Sequence, residues 1–218
     1  MELHFDQELT QLKDELLRMS GLAEQSVAES LKALVSRDAA LAQKVHADDK
    51  QLDRLQMEID ERSVGLIALR QPKARDLRFI IVAMKIAAEL ERIGDQAVNI
   101  AHRAEDVNRE PLVKPLLDIP QMAELARGMI HDALDAFAYA KPDAARAVIT
   151  RDQQVDSLNR QVHRELTSFM IEDPHTITCA LALMSVSRNL ERIADHTTNI
   201  AEDVVYLYEG RDIRHQTD

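Results

Sequence analysis

The stretch Leu90–Ala101 reads LERIGDQAVNIA, and Leu190–Ala201 reads LERIADHTTNIA. The shared letters are Leu, Glu, Arg, Ile, Asp, Asn, Ile and Ala, returning 100 positions later. On a helix of 3.6 residues per turn, Ile86, Leu90, Ile93, Ala97 and Ile100 make one apolar stripe. At about 100° per residue, Glu91, Asp95 and Asn99 point roughly 140–180° away from it. Packing explains the repeated apolar letters. The repeated Glu, Asp and Asn stand on a face the core does not need.

The repeat extends outward. A shift of 103 lays Leu22-Ala23 on Leu125-Ala126, Leu31 on Leu134, Val45 on Val148, Asp49 on Asp152 and Asp53 on Asp156. Pro72 precedes Pro174 by 102. Small changes in loop length account for the drift, so an internal duplication is the simplest history. Breakers divide each copy into three. Ser36-Arg37-Asp38 interrupts the first periodic stretch, with Asp38 placed to cap the next helix. Pro72, Lys141-Pro142-Asp143 and Asp173-Pro174-His175 mark hairpins, and the proline-rich 108–120 is a linker. The spacing predicts helices near 3–35, 38–70, 74–107, 116–140, 143–171 and 175–208. The expected fold is all-α: two tandem three-helix bundles of six long helices, one over 1–110 and one over 116–218.

Composition agrees. The 218 residues hold 5 glycines, 6 prolines and 3% aromatics, and Ala, Leu, Glu, Arg, Gln, Asp and Met, most of them good helix formers, dominate. A net charge of -11 disfavours nucleic acid and anionic membranes, and suits cations or basic partner surfaces. With Cys179 the single cysteine, no internal disulfide forms. The start is charged rather than signal-like, and apolar runs such as FIIVAM (79–84) are too short to span a bilayer. A cytoplasmic protein is expected.

Each copy holds a second acidic pair at i, i+4: Asp49 with Asp53, and Asp152 with Asp156, matching Glu91 with Asp95 and Glu191 with Asp195. In an antiparallel hairpin, Asp49 and Asp53 lie about as far before Pro72 as Glu91 and Asp95 lie after it. At ~1.5 Å per residue both pairs sit about 30 Å from the turn and can face each other. Four gathered carboxylates repel unless a cation holds them. Carboxylates with the Asn99 or Asn199 amide oxygen suit Mg, Ca, Mn or Fe, with Zn also able to bind. Arg92 and Arg192 could instead serve as counter-ions, and spacing leaves both readings open. His196, present only in the second copy, reads as a surface residue able to add a ligand. His102 and His163, on the acidic faces without a matching partner, also read as surface. The basic run Arg70, Lys73, Arg75 and Arg78 could meet phosphate or an acidic partner, and reads first as a solvated hairpin tip. Phosphate-loop, hydrolase-elbow and Cys/His zinc motifs are missing from the sequence.

The phrases ALRQPKARDLRFI (68–80), ELERIGDQAVNIA (89–101) and NLERIADHTTNIAEDVVYLYEG (189–210) resemble the PhoU family. The resemblance covers essentially the whole chain, departing at Lys73, where an apolar residue is usual. It implies a negative regulator of the phosphate regulon that modulates phosphate uptake. It implies an adaptor between a PhoR-type sensor histidine kinase and the PstB-type ATPase subunit of the phosphate ABC transporter, peripheral to the inner face of the membrane. It further implies multinuclear iron or zinc clusters, with manganese or magnesium as other candidates. Their ligands would be Asp49, Asp53, Glu91, Asp95 and Asn99 in one bundle, and Asp152, Asp156, Glu191, Asp195 and Asn199 in the other. No enzymatic activity is expected, although a metal-dependent enzyme for iron oxidation or phosphoester hydrolysis is the rival reading. A homodimer is the expected assembly.

Overall fold

Asp38 acts at both sides of the first break. Its N–H reaches Ala33 O at 3.0 Å, closing the preceding helix over Arg37, which lies in the left-handed region at φ 55°. Its carboxylate accepts from Ala40 N and Leu41 N at 3.0 and 3.1 Å, capping the next helix. The Arg37 guanidinium then donates to Val107 O, Asn108 O and Glu110 O, at the end of a later helix. The short Ser-Arg-Asp break therefore ties three helix ends together.

The computed structural model describes residues 2–214, with side chains from Phe5 onward. Residue 1 and residues 215–218 of the expected units lie outside that range. Among the described residues there are six long helices and no strand: α1 (Glu2–Ser36), α2 (Ala39–Arg70), α3 (Ala74–Asn108), α4 (Asp118–Ala138), α5 (Pro142–Glu172) and α6 (Ile177–Glu209). A single 3₁₀ turn, Pro174–Thr176, leads into α6. The fold is all-α, two three-helix bundles in tandem. Helix α4 is shorter than expected at both ends. It starts after Pro115, and at its far end Lys141 N–H closes on Ala136 O at 3.0 Å over Ala140 at φ 54°. Lys114, inside the linker, holds Asp118 at 3.0 Å and pairs with Glu165, fastening the linker to α4 and α5.

Helices α1, α2 and α3 pack together, as do α4, α5 and α6, and the halves meet through α3 against α6 and α1 against α4. The stripe of Ile86, Leu90, Ile93, Ala97 and Ile100 is buried, but so are Val82, Ala83, Ala87, Gly94, Ala101 and Ala104. Helix α3 is covered on two flanks because it lines both its own bundle and the seam. Lys85 pairs with Asp203 at 3.0 Å, and Arg78 reaches Leu207 O, so α3 and α6 cross antiparallel. Phe79 stacks on the fully buried Phe137 with ring centres 5.6 Å apart, joining α3 to α4. The basic hairpin is less solvated than its composition suggests. Arg70 grips Glu8 through two bonds of 2.8 and 2.9 Å, and Arg78 lies 5.3 Å from the Tyr206 ring centre.

Candidate metal centres

Gly94 brings α2 and α3 unusually close. A Cβ there would lie 2.5 Å from Leu52 Cδ1 and 3.3 Å from Asp49 Oδ1. Asp49 is thereby laid against the backbone of α3, beside the repeated phrase. Burial, then the nearby Asp53 and Asp95 carboxylates, push Asp49 up to about 6. Glu91 is raised by burial and then by Asp95, Asp53 and Asp49. Asp95 is raised by burial and Asp53. The antiparallel hairpin thus gathers the four acids of the first copy.

The second copy repeats the arrangement on α5 and α6. Asp152 is raised to about 6 by burial, then Asp195, Asp156 and Glu191. Its Oδ1 is buried and accepts no hydrogen bond. Glu191 and Asp195 are raised as well, by burial first and then by neighbouring acids. Arginines surround both sites without neutralising them. Arg92 gives its 2.8 Å hydrogen bond to Glu89, while Arg160 stands 3.6 Å from Asp156. Arg188 and Arg192 pull Glu191 down, yet its net shift is upward. The counter-ion reading therefore accounts poorly for these acids. An orphaned buried carboxylate oxygen among like charges fits a cation bound through oxygen, the donor set of Mg, Mn, Ca and Fe and one that Zn accepts.

The two asparagines behave differently from the acids. Asn99 is exposed on α3, one turn beyond Asp95. Asn199 turns across the seam, its Nδ2 donating to Glu89 Oε2 at 3.2 Å. His196 is part of the same contact. It is half-buried rather than on the open surface, with Nδ1 2.8 Å from Glu89 Oε2. Burial would raise Glu89, but hydrogen bonds from His196 and Asn199 hold it below the ordinary range. His196 also draws down both Asp95 and Asp195, so it lies electrostatically between the two acid sites. Sequence reasoning passed over Glu89, which looks like one more polar letter beside Glu91. Its signal was the two-sided burial of α3, visible only once α6 is in place.

Fold and site together define a class: a duplicated three-helix bundle carrying one carboxylate cluster on the outer face of each copy. The chain matches the PhoU domain over residues 16–104 and 119–204, and it belongs to the PhoU family. It is 42% identical over 207 residues to the phosphate-specific transport system accessory protein PhoU homolog of Rhizobium meliloti (strain 1021), covering 94% of this chain and 87% of that protein. It superposes on the crystal structure of PhoU from Pseudomonas aeruginosa with a TM-score of 0.92 at 39% identity, covering 95% of this chain and all of the other. The crystal structure of the phosphate transport system regulatory protein PhoU from Streptococcus pneumoniae gives 0.88 at 28% identity, covering 96% and 99%.

Proposed function

We propose that this chain is an accessory regulator of the phosphate-specific transport system, a metal-binding adaptor that represses the phosphate-starvation response and modulates phosphate uptake. One observation carries the regulatory reading: the likeness to accessory and regulatory proteins of phosphate transport runs over nearly the whole chain, with both copies included. The partners in this reading are the PstB-type ATPase subunit and a PhoR-type sensor kinase. No helix of the described residues is long and apolar enough to cross a membrane. In this reading the protein is a cytoplasmic homodimer that works at the inner face of the membrane through its partners.

In this reading, Asp49, Asp53, Glu91 and Asp95 hold iron, zinc or manganese in one bundle, and Asp152, Asp156, Glu191 and Asp195 do so in the other. Asn99 lies beside the first set, whereas Asn199 joins the second only by releasing Glu89. The bound metal supplies positive charge that cancels the repulsion among these acids. The residues themselves then clamp α2 to α3 and α5 to α6, presenting a rigid outer face to a partner.

Three measurements test the proposal. Elemental analysis of protein purified without chelator should find iron, zinc or manganese, and Asp95→Ala/Asp195→Ala should lose the equivalents held by the two carboxylate clusters. Pull-downs should capture the transporter ATPase and the kinase. A deletion strain should express a phosphate-starvation reporter at high phosphate until the gene is restored. A reporter that stays silent in the deletion strain, with neither partner captured, sinks the adaptor reading. Phosphoester turnover by metal-loaded protein, abolished in Glu91→Ala/Glu191→Ala, would put an enzyme in its place.

A further inference from the structure

One turn along α2 from Asp49, a second cluster of different chemistry fills the groove between α2 and α3. His46 projects from α2, and His102 and Glu105 from α3 at a spacing that sets them on one face. One ligand atom from each of the three lies within 4.8 Å of the other two. The two imidazoles nearly stack, with ring centres 3.9 Å apart and planes tilted by 34°. Nε2 of His46 is buried and has no hydrogen-bond partner, which calls for an explanation in a group that can both donate and accept. His102, read from its own helix as an isolated surface residue, is exposed but has its partner on the neighbouring helix.

We propose that His46, His102 and Glu105 form a mononuclear site for a divalent transition metal of the zinc class, separate from the carboxylate clusters. Two imidazoles and one carboxylate suit Zn²⁺, Co²⁺, Ni²⁺ or Fe²⁺, whereas the all-oxygen clusters also accept Mg²⁺ and Ca²⁺. With metal–nitrogen bonds of about 2.0–2.1 Å, ligand atoms must close to roughly 3.3–3.5 Å, a movement on the order of 1 Å that the exposed His102 side chain can make. Three protein ligands leave a fourth position on the side of exposed His102, open to water or to a donor from a partner.

The duplication supplies an internal comparison. The shifts that align the acids carry His46 to Ile149, His102 to Glu202 and Glu105 to Val205. The second bundle keeps its carboxylate cluster and has none of the three ligands at these positions. The site therefore belongs to the first copy alone, one per chain, and does not depend on the function proposed for the acid clusters.

Co²⁺ is the probe, because exchangeable protons of cobalt-bound imidazoles give NMR resonances shifted far outside the diamagnetic range. Carboxylate ligation cannot produce them. The full chain, stripped with chelator, is titrated with Co²⁺ beside His102→Gln, His46→Ile/His102→Glu and Asp49→Asn/Asp95→Asn, with metal-free thermal unfolding as the check on folding. His102→Gln alters an exposed side chain and is the variant expected to fold without difficulty. Wild type and the acid variant should both show shifted imidazole resonances that rise to a plateau as Co²⁺ is added. His102→Gln should lose its part of them, with affinity lowered at least about tenfold. Absence of the resonances in wild type, or their survival unchanged in His102→Gln, overturns the proposal. Their loss in the acid variant would make the histidines part of the carboxylate cluster and overturn the claim of a separate site.

Discussion

Replacing Asp49 and Asp152 by asparagine should stabilise the metal-free protein at pH 8 and leave it nearly unchanged near pH 3. Both carboxyls titrate at about 6 in the folded chain instead of at 3.8. A difference of about two units, at 1.36 kcal/mol each, would be nearly 3 kcal/mol per site if solvent were excluded. Both side chains are only partly buried, and screening reduces this to on the order of 1–1.5 kcal/mol each. The sign follows from proton counting. With the folded value raised, the folded state holds the proton more tightly between pH 4 and 6, and stability drains away as pH rises through that window. Below it both states are protonated and nothing is lost; above it the full penalty stands. Asparagine cannot ionise, so the double variant should gain about 2–3 kcal/mol at pH 8, or roughly 5–10 °C for a chain of this size. The assay is thermal unfolding of chelator-treated protein at both pH values. Glu89, whose lowered value comes from His196 and Asn199, titrates alike in both proteins, while relief of Glu91, which Asp49 raises, adds to the gain. Saturating Mn²⁺ or Zn²⁺ should invert the order, since metal at 100 times its Kd adds about 2.7 kcal/mol per site to wild type. An asparagine variant less stable than wild type at pH 8 without metal would refute the reasoning. It would show that nearby arginines already satisfy these acids.

Gly94→Ala should destabilise the first bundle by about 1–2 kcal/mol in urea unfolding despite the better helix propensity of alanine, because its Cβ would meet Leu52 at 2.5 Å. It should also weaken metal uptake by the first site relative to the second. Lys85→Ala leaves the nearly buried Asp203 carboxylate without its 3.0 Å partner and should cost about 1–3 kcal/mol, partly recovered in Lys85→Ala/Asp203→Ala. Asp38→Ala removes the two bonds that cap α2 and should lower the urea midpoint by the equivalent of about 1 kcal/mol.

The fold was largely legible because each of its signals is local. Proline and Asp38 punctuate the chain, the apolar period of 3.6 marks the helices, and a phrase written twice announces the duplication. The acid sites were legible for a related reason: a hairpin imposes its register, so equal distances from Pro72 place Asp49 near Asp95. What escaped notice depends on an element the period cannot name. The pattern of α3 shows an apolar stripe and a polar remainder, but α6 covers part of that remainder, and Glu89 becomes a seam residue while Asp95, a turn and a half away, stays exposed. Gly94 carries no signal in the helical period, and only the packing of Leu52 against it shows why glycine stands there. His46 and His102 are 56 positions apart and carry no motif, so only the packing of α2 on α3 joins them.

The seam shows how two copies of one unit cease to be equivalent. Because α3 and α6 cross antiparallel, residues near the repeated phrases of both copies meet across it. Symmetric sequences would make symmetric contacts there. Instead Glu89 has Asn189 as its counterpart and His196 has Gln96, so one ionisable pair occurs where a strict twofold would require two. His196 bonds to Glu89 and partly offsets the upward shifts of Asp95 and Asp195, while the buried Gln96 brings no charge. The burial around this crossing raises what a charge there does to its neighbours. A charge placed at either cluster would therefore act on a shared group, and Glu89, His196 and Asn199 join the Lys85–Asp203 pair in linking the bundles across the seam.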